Sequence, residues 1–258
     1  MKSDIKISII GAGNLATQLG TALFEEGYLI SQVYSRTSKN AITLSKKIKA
    51  VAITDLRKLS DDASIYIVSV KDDAIETICK QLKLKDKIVV HTSGSVSIDV
   101  LKSCSKNYGV FYPLQTFSKN KTVDFKSIPI CIEANNTATS TTLQYFAKSI
   151  SGNVQKVNSL QRQKIHLAAV FACNFSNHMY VLAETLLAKD KLSLDLLKPL
   201  IEETAIKIKT TKAKDSQTGP AVRGDKKTQD AHLKLLSKEK DLSKIYTLLS
   251  ESIKKRNS

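Results

Sequence analysis

The run Ile5-Lys6-Ile7-Ser8-Ile9-Ile10 leads straight into Gly11-Ala12-Gly13-Asn14-Leu15-Ala16, and a helical pattern follows from about Asn14 to Glu26. No other stretch of the chain restricts its fold as much. A short apolar strand, a glycine turn and a helix in this order open a βαβ unit, with the helix packed on a parallel sheet. Gly11 permits the tight turn, Gly13 lets the backbone approach a bulky anion, and Ala16 is small enough for the helix to lie close on the strand. The first turn of the helix then offers unpaired N–H groups and a positive dipole end to phosphates. The competing reading is a tight turn with no ligand.

The next strand, Leu29–Ser35, bears on the choice of nucleotide. In an NAD site of this kind it ends near an Asp or Glu that binds the ribose 2′-hydroxyl. Here the sequence reads Val33-Tyr34-Ser35-Arg36-Thr37, then Ser38 and Lys39, with no carboxylate. Hydroxyls and a planar guanidinium suit an adenosine 2′-phosphate, so NADP(H) is the expected cofactor. Ligands of open parallel sheets lie outside the carboxyl ends of the strands. Gly11, Ala12, Gly13, Asn14, Leu15, Ala16, Ser35, Arg36, Thr37, Val70 and Lys71 are therefore the expected cofactor residues. Ser93 and Gly94, past the fifth strand, are expected at the substrate end. His91 reads as a strand-end histidine bonded to a neighbouring backbone.

Six further strands are expected at Ala50–Ile53, Ser64–Val70, Lys87–His91, Gly109–Phe111, Ile128–Ile132 and Asn153–Val157. Their near-continuous apolar runs, such as IYIVSV, predict a mostly parallel sheet covered on both faces. From about Ser159 the β pattern stops. Leu160–Lys189 reads as one long helix, SLDLLKPLIEETAIKIK as a second bent or begun near Pro199, and Thr228–Leu236 and Asp241–Lys255 as two more. TKAKDSQTGPAVRGD reads as a polar loop. The expected architecture is α/β: a Rossmann-type, mostly parallel sheet over residues 1–158, then an all-helical domain over 159–258.

The chain carries 40 Lys and Arg against 24 Asp and Glu, net +16. The excess is spread over both halves, and only five of the 40 cations are Arg. Nucleic-acid surfaces lean on arginine forks, so a solvated Lys-rich surface is the better reading, and no nucleic-acid partner is expected. Cys79, Cys104, Cys131 and Cys173 form no CxxC and no His/Cys cluster; buried free thiols and no metal are expected. MKSDIKISII shows no secretory signal, and no apolar run reaches the roughly 20 residues that span a bilayer. A cytoplasmic protein with no membrane partner is expected.

Hydride transfer to a C=O or C=N bond needs a proton donor, and the first half offers no obvious one. The helix from Gln161 carries His166, Asn174, Asn177 and His178 in an apolar body. At 3.6 residues per turn His166 and Asn177 share a face, and Asn174 lies about 80° from His166. Buried polar groups need partners, so a polar cavity or bonds to neighbouring helices would explain them. His166, with Asn174 as orienting group, is the expected catalytic pair. Arg223, set between Gly219-Pro220 and Gly224, is expected to bind a substrate carboxylate or phosphate, the alternative being an ion pair with Asp225 or Asp215 that braces the loop.

Taken together, Gly11–Ala16, Ser35-Arg36-Thr37, Ser69-Val70-Lys71-Asp72-Asp73, His91-Thr92-Ser93-Gly94, Tyr112-Pro113-Leu114-Gln115-Thr116-Phe117, His166 with Asn174, and Thr218–Asp225 resemble a bacterial family. In that family a Rossmann-like NADP-dependent oxidoreductase domain precedes a helical domain of unknown function. Its plan is similar to pyrroline-5-carboxylate reductase, prephenate dehydrogenase and the β-hydroxyacid dehydrogenases. The resemblance implies a homodimer built by the helical domains, and a substrate cleft between domains with the Thr218–Asp225 loop lining it. Two departures stand out. The Lys and Asn that hydroxyacid dehydrogenases place one turn apart are absent, since His166 is followed one turn later by Val170. Many relatives carry His-Pro where this chain has Tyr112-Pro113, so Tyr112 replaces that histidine or its role moves to His166. The expected function is NADP(H)-dependent hydride transfer to or from a small, anionic carbonyl or imine compound. A non-catalytic NADP(H)-binding sensor or scaffold dimer is the alternative, and a deazaflavin hydride partner fits the same residues.

Overall fold

The structure is a computed structural model and describes residues 5–118, 121 and 123–257. It forms two compact units, one up to Val170 and one from Phe171 on. All eight expected strands are present in the first: β1 (Lys6–Ile10), β2 (Leu29–Tyr34), β3 (Val51–Ile53), β4 (Ile65–Val68), β5 (Ile88–His91), β6 (Asn107–Pro113), β7 (Ile130–Ala134) and β8 (Val154–Lys156). They make one sheet in the order β3-β2-β1-β4-β5-β6-β7-β8. Every neighbouring pair is parallel except β6 with β7. The first six strands thus follow the Rossmann order, whose reversal point lies between β1 and β4.

The central strands β4 and β5 are almost entirely apolar because both faces of the sheet are covered there. Ile7, Ile9, Ile65 and Ile67 point into one core, packed under α1 (Asn14–Glu25), α2 (Ser38–Lys47) and, beyond β6, the later helix α4 (Thr137–Ile150). Their alternate neighbours Ile10, Tyr66 and Val68 enter the other core, which holds Ile75 and Cys79 of α3 (Asp72–Cys79). Tyr28, Phe146 and Phe111 meet in the first core with ring centroids 5.2 and 5.1 Å apart.

The helix after β8, α5 (Ser159–Ala169), belongs to the first unit. Its start is fixed by a capping box between Asn158 and Gln161. The expected helix over Leu160–Lys189 is helical along its length but not uniformly α. Val170–Phe175 is wound as a π-helix before α6 (Ser176–Ala188). A π turn takes up more residues than an α turn, so Asn174 and Asn177 do not keep the angles to His166 that 3.6 residues per turn would give.

In the second unit α6 is followed by α7 (Lys198–Thr210), which has Pro199 in its first turn, the short α8 (Pro220–Arg223), α9 (Lys226–Leu235) and α10 (Lys240–Asn257). No strand follows Lys156 among the described residues. Gly219 and Gly224 bracket α8 with φ of 112° and 67°, values that other residues rarely adopt. Cys79, Cys104 and Cys131 are buried free thiols, as expected, but Cys173 is exposed. It shares the π segment with Phe171 and Phe175, which are themselves 63% and 49% exposed.

Candidate functional site

The carboxyl ends of β1, β2, β4 and β5 open on a cleft of about 610 Å³ within the first unit. That size is ordinary for a small-molecule site. Gly11–Ala16, Ser35, Arg36, Thr37, Val70 and Lys71 all line it, as do Ser93, Gly94 and His166. The structure therefore gathers every expected cofactor residue, and three of the five other expected site residues, around one space. Thr92, Asp72 and Tyr112 join them.

Two glycines of the first turn serve different ends. Gly11 has φ +124°, and a Cβ there would lie 2.0 Å from the Ser69 carbonyl oxygen. The protein itself requires glycine at this point, because β1 and β4 run side by side into the turn. A Cβ on Gly13 would meet nothing within 4 Å. Space is left in front of Gly13, at the N-terminus of α1, for a group that approaches the backbone. The helix has no side-chain cap and no acidic residue in its first turn. Its first N–H groups, which have no partners inside the helix, are therefore available to an anion. At the end of β2, Arg36 is exposed and makes no ion pair or hydrogen bond with any described residue, whereas the nearby Arg57 is committed to Asp55 at 2.7 Å. This cradle and unpaired guanidinium suit a pyrophosphate and a 2′-phosphate.

Asn14 has a further task. Its Nδ2 donates to the Phe117 carbonyl at 2.9 Å, and Gln18 Nε2 donates to the carbonyls of Ser118 and Lys121 at 2.7 and 3.0 Å. The Asn14 side chain thus ties a loop to α1.

The other end of the cleft is built on the turn after β5. His91 is fully buried, its Nδ1 accepts from the Ser93 N–H at 3.2 Å, and its Nε2 has no partner. Burial, with the Arg162 charge adding, pushes its pKa down to about 4, so the ring is neutral. The backbone bond is the one the sequence suggested, and it makes His91 part of the turn.

Arg162, one helical turn before His166, is 0% exposed. Its Nη1 donates to the Ser93 carbonyl at 2.9 Å and its Nη2 to the Val96 carbonyl at 2.8 Å. Glu133 on β7 pairs with it at 3.2 Å and accepts a bond from Ser159 at 2.8 Å. This buried fork fastens α5 to the Ser93–Val96 turn, and with it places His166. The His166 ring lies against Gly94: a Cβ there would come within 2.7 Å of both Cγ and Nδ1. Its Nδ1 is 3.1 Å from the Tyr112 hydroxyl, and the two rings meet edge to face at 74°. Burial pushes the Tyr112 phenol up to about 12, so it keeps its proton.

Arg162 has a structural task that sequence reading did not assign, and Tyr112, named there as standing where relatives carry a histidine, is bonded to His166. The signal for Arg162 was its rarity, one of five arginines in a chain that otherwise uses lysine. Asn174 and Arg223 are placed differently. Both belong to the second unit, both are exposed, and neither lines the cleft of the first. The brace suggested for Arg223 is not formed with either Asp225 or Asp215. The Asp225 carboxylate accepts instead from Thr228 N–H and Oγ1 at 3.0 and 2.7 Å, which caps α9 and holds the carboxyl below its usual range.

Comparison with known proteins agrees with this layout. Residues 6–94 match a family model described as NADP oxidoreductase, coenzyme F420-dependent, and residues 128–253 match a domain of unknown function, DUF2520. A crystal structure from Bacteroides fragilis, described as a "putative NADP oxidoreductase", is 45% identical over 98% of both chains, with a TM-score of 0.91. An imine reductase from Myxococcus stipitatus, solved with NADP+, shares the fold at 16% identity over 96% of this chain and 94% of that one, TM-score 0.68. Among curated proteins, a glycerol-3-phosphate dehydrogenase [NAD(P)+] from Clostridium botulinum is 33% identical over 95 residues, which is 32% of this chain and 28% of that protein.

Proposed function

Because this chain belongs to the family of NADP-dependent oxidoreductases that join such a domain to a DUF2520 domain, we propose that it moves hydride between NADP(H) and a small carbonyl or imine compound. The observation that carries the reading is a single cleft with a phosphate cradle at one end and His166 at the other. When bound, the nicotinamide supplies the hydride. The N-terminus of α1 and the Gly13 backbone hold the pyrophosphate, while Arg36, Ser35 and Thr37 take the 2′-phosphate. Val70 and Lys71 flank the cofactor. Ser93 and Gly94 shape the substrate end, and His166 gives the substrate heteroatom its proton. An anionic substrate suits the roles assigned to Arg223, as carboxylate or phosphate ligand, and to Asn174, as a hydrogen-bonding orienter. The exposed apolar residues of the second unit suit a homodimer.

The test is kinetic and calorimetric. NADPH oxidation is followed against a panel of small carbonyl and imine acids, and nucleotide binding is titrated separately. His166→Ala is expected to lower kcat with NADPH affinity intact. Arg36→Ala is expected to lose about 10–150-fold in NADPH affinity, the equivalent of roughly 1.5–3 kcal/mol for a hydrogen bond to a charged group, with NADH binding little changed. Equal affinity of the unaltered protein for the two nucleotides counts against the 2′-phosphate assignment. Normal turnover by His166→Ala removes His166 from the chemistry.

A further inference from the structure

We propose that Tyr112 is a positioning residue that acts through His166: its hydroxyl hydrogen-bonds Nδ1, keeps the Nε2–H tautomer facing the cleft, and resupplies the proton that Nε2 gives away. The inference deepens the hydride-transfer reading and rests on it.

Three observations fix the arrangement. First, the His166 ring lies close against the turn. A Cβ on Gly94 would reach Cγ and Nδ1 at 2.7 Å and the His166 Cβ at 2.9 Å, so the Cγ–Nδ1 edge of the imidazole is the inner one and leaves no room for a side chain there. Second, Nδ1, on that inner edge, is the nitrogen 3.1 Å from Tyr112 Oη. Third, Nε2 has no partner among the described residues, yet it is not a buried orphan of the kind His91 Nε2 is. It is the free polar atom of a residue that lines the cleft.

The direction of the bond follows from the chemistry of the two groups. The phenol is protonated at neutral pH, and its oxygen makes no other hydrogen bond with a described residue. An imidazole nitrogen lone pair is a far better acceptor than a phenol oxygen, so the hydroxyl donates and Nδ1 accepts. The neutral ring must then carry its own proton on Nε2.

A neutral imidazole cannot give up Nε2–H without gaining a proton elsewhere. As hydride reaches the carbon of a carbonyl compound, negative charge grows on oxygen. The Nε2–H bond breaks and an O–H bond forms on the substrate. In the same event the Tyr112 Oη–H bond breaks and an Nδ1–H bond forms. The ring stays neutral, an alcohol is made, and the phenolate is reprotonated by water. Such a weakly acidic pair suits an oxygen that becomes strongly basic only as hydride arrives. An imine nitrogen is basic enough to be protonated by water beforehand. The pair therefore points to a carbonyl substrate.

The experiment uses the full chain labelled with 15N-histidine. In the unaltered protein, with the ring neutral, His166 is expected to carry its proton on Nε2 and to show the nitrogen shift of a hydrogen-bonded acceptor at Nδ1. His166→Gln identifies its signals among the four histidines. Tyr112→Phe, which keeps the ring and removes only the hydroxyl, is expected to move the Nδ1 shift to that of an unbonded nitrogen. Gly94→Ala, which must push the imidazole off the turn, is expected to do the same. Against a carbonyl substrate, Tyr112→Phe should lower kcat by about 100-fold, the lower range for a lost general acid, with NADPH affinity unchanged. A proton on Nδ1 in the unaltered protein, an Nδ1 shift indifferent to Tyr112→Phe, or an undiminished kcat overturns the proposal. The spectra need no substrate, so their failure sinks the pair alone. Failure of the unaltered protein to reduce any carbonyl or imine sinks the activity on which it rests.

Discussion

Phe111 and Phe171 each sit in an apolar stretch, yet Phe111 is fully buried and Phe171 is 63% exposed. The contrast runs through the two units. In the first, Ile7, Ile9, Ile65, Ile67 and Phe146 are at most 1% exposed, because a sheet offers two flat faces and helices cover both. Among the described residues from Phe171 on, only Ala221 and Leu236 are buried, while Leu196, Leu200, Leu235 and Leu248 are 65%, 64%, 81% and 67% exposed. A helix can hide only one stripe, and only against something. The first unit supplies its own cover. The second displays the kind of apolar surface that marks an interface.

The largest expected effect separates the units most directly. Phe171→Asp and Val51→Asp place the same charge at sites of nearly equal exposure, 63% and 60%. If a second copy covers the helices, Phe171→Asp abolishes the dimer and Val51→Asp does not. Light scattering at micromolar concentration reads this as a fall from about twice 28.4 kDa to one copy. An unaltered protein that is already a monomer, or a dimer indifferent to Phe171→Asp, breaks the contrast.

Ion pairs sharpen it next. Arg162 with Glu133 is buried in the first unit, at 0% and 12% side-chain exposure. Lys189 with Glu239 lies in the second at 46% and 37%. Arg162→Met strands a carboxylate and two carbonyls, and should cost about 3–5 kcal/mol in urea unfolding. Lys189→Met should cost less than about 1 kcal/mol, since an exposed pair is screened by water. Similar losses at both sites would show that burial does not distinguish the units as described.

A smaller effect reads the interior of the first unit by pH. The His91 pKa is about 4 in the fold, and near 6.5 in the unfolded chain. Between these values the unfolded chain binds a proton that the folded one refuses. Stability is therefore complete above about pH 6.5 and falls as pH drops toward 4, by about 3 kcal/mol over the window. His91→Gln should flatten that part of the urea-midpoint profile relative to the unaltered protein. Parallel profiles would place His91 in water.

Much of this molecule is local in origin. Short apolar runs marked all eight strands, most plainly β4, which is buried on both faces and apolar at every position. Gly11–Ala16 set the βαβ opening, because its turn geometry and close strand contact tolerate few other residues. Ser35-Arg36-Thr37 pointed to NADP(H), because a carboxylate there would repel a phosphate. Sequence alone also pointed to His166, the one ionisable residue in an otherwise apolar stretch of α5. Long-range packing decided the rest. Tyr112 meets His166 across 54 residues, and Arg162 meets Ser93 across 69. Buried polar groups take whichever partners the packed sheet and helix bring within about 3 Å, and no window of sequence contains that choice. The π segment is of the same kind: its extra residue per turn leaves no mark in a 3.6-residue count, so Asn174 and Asn177 could be counted but not placed.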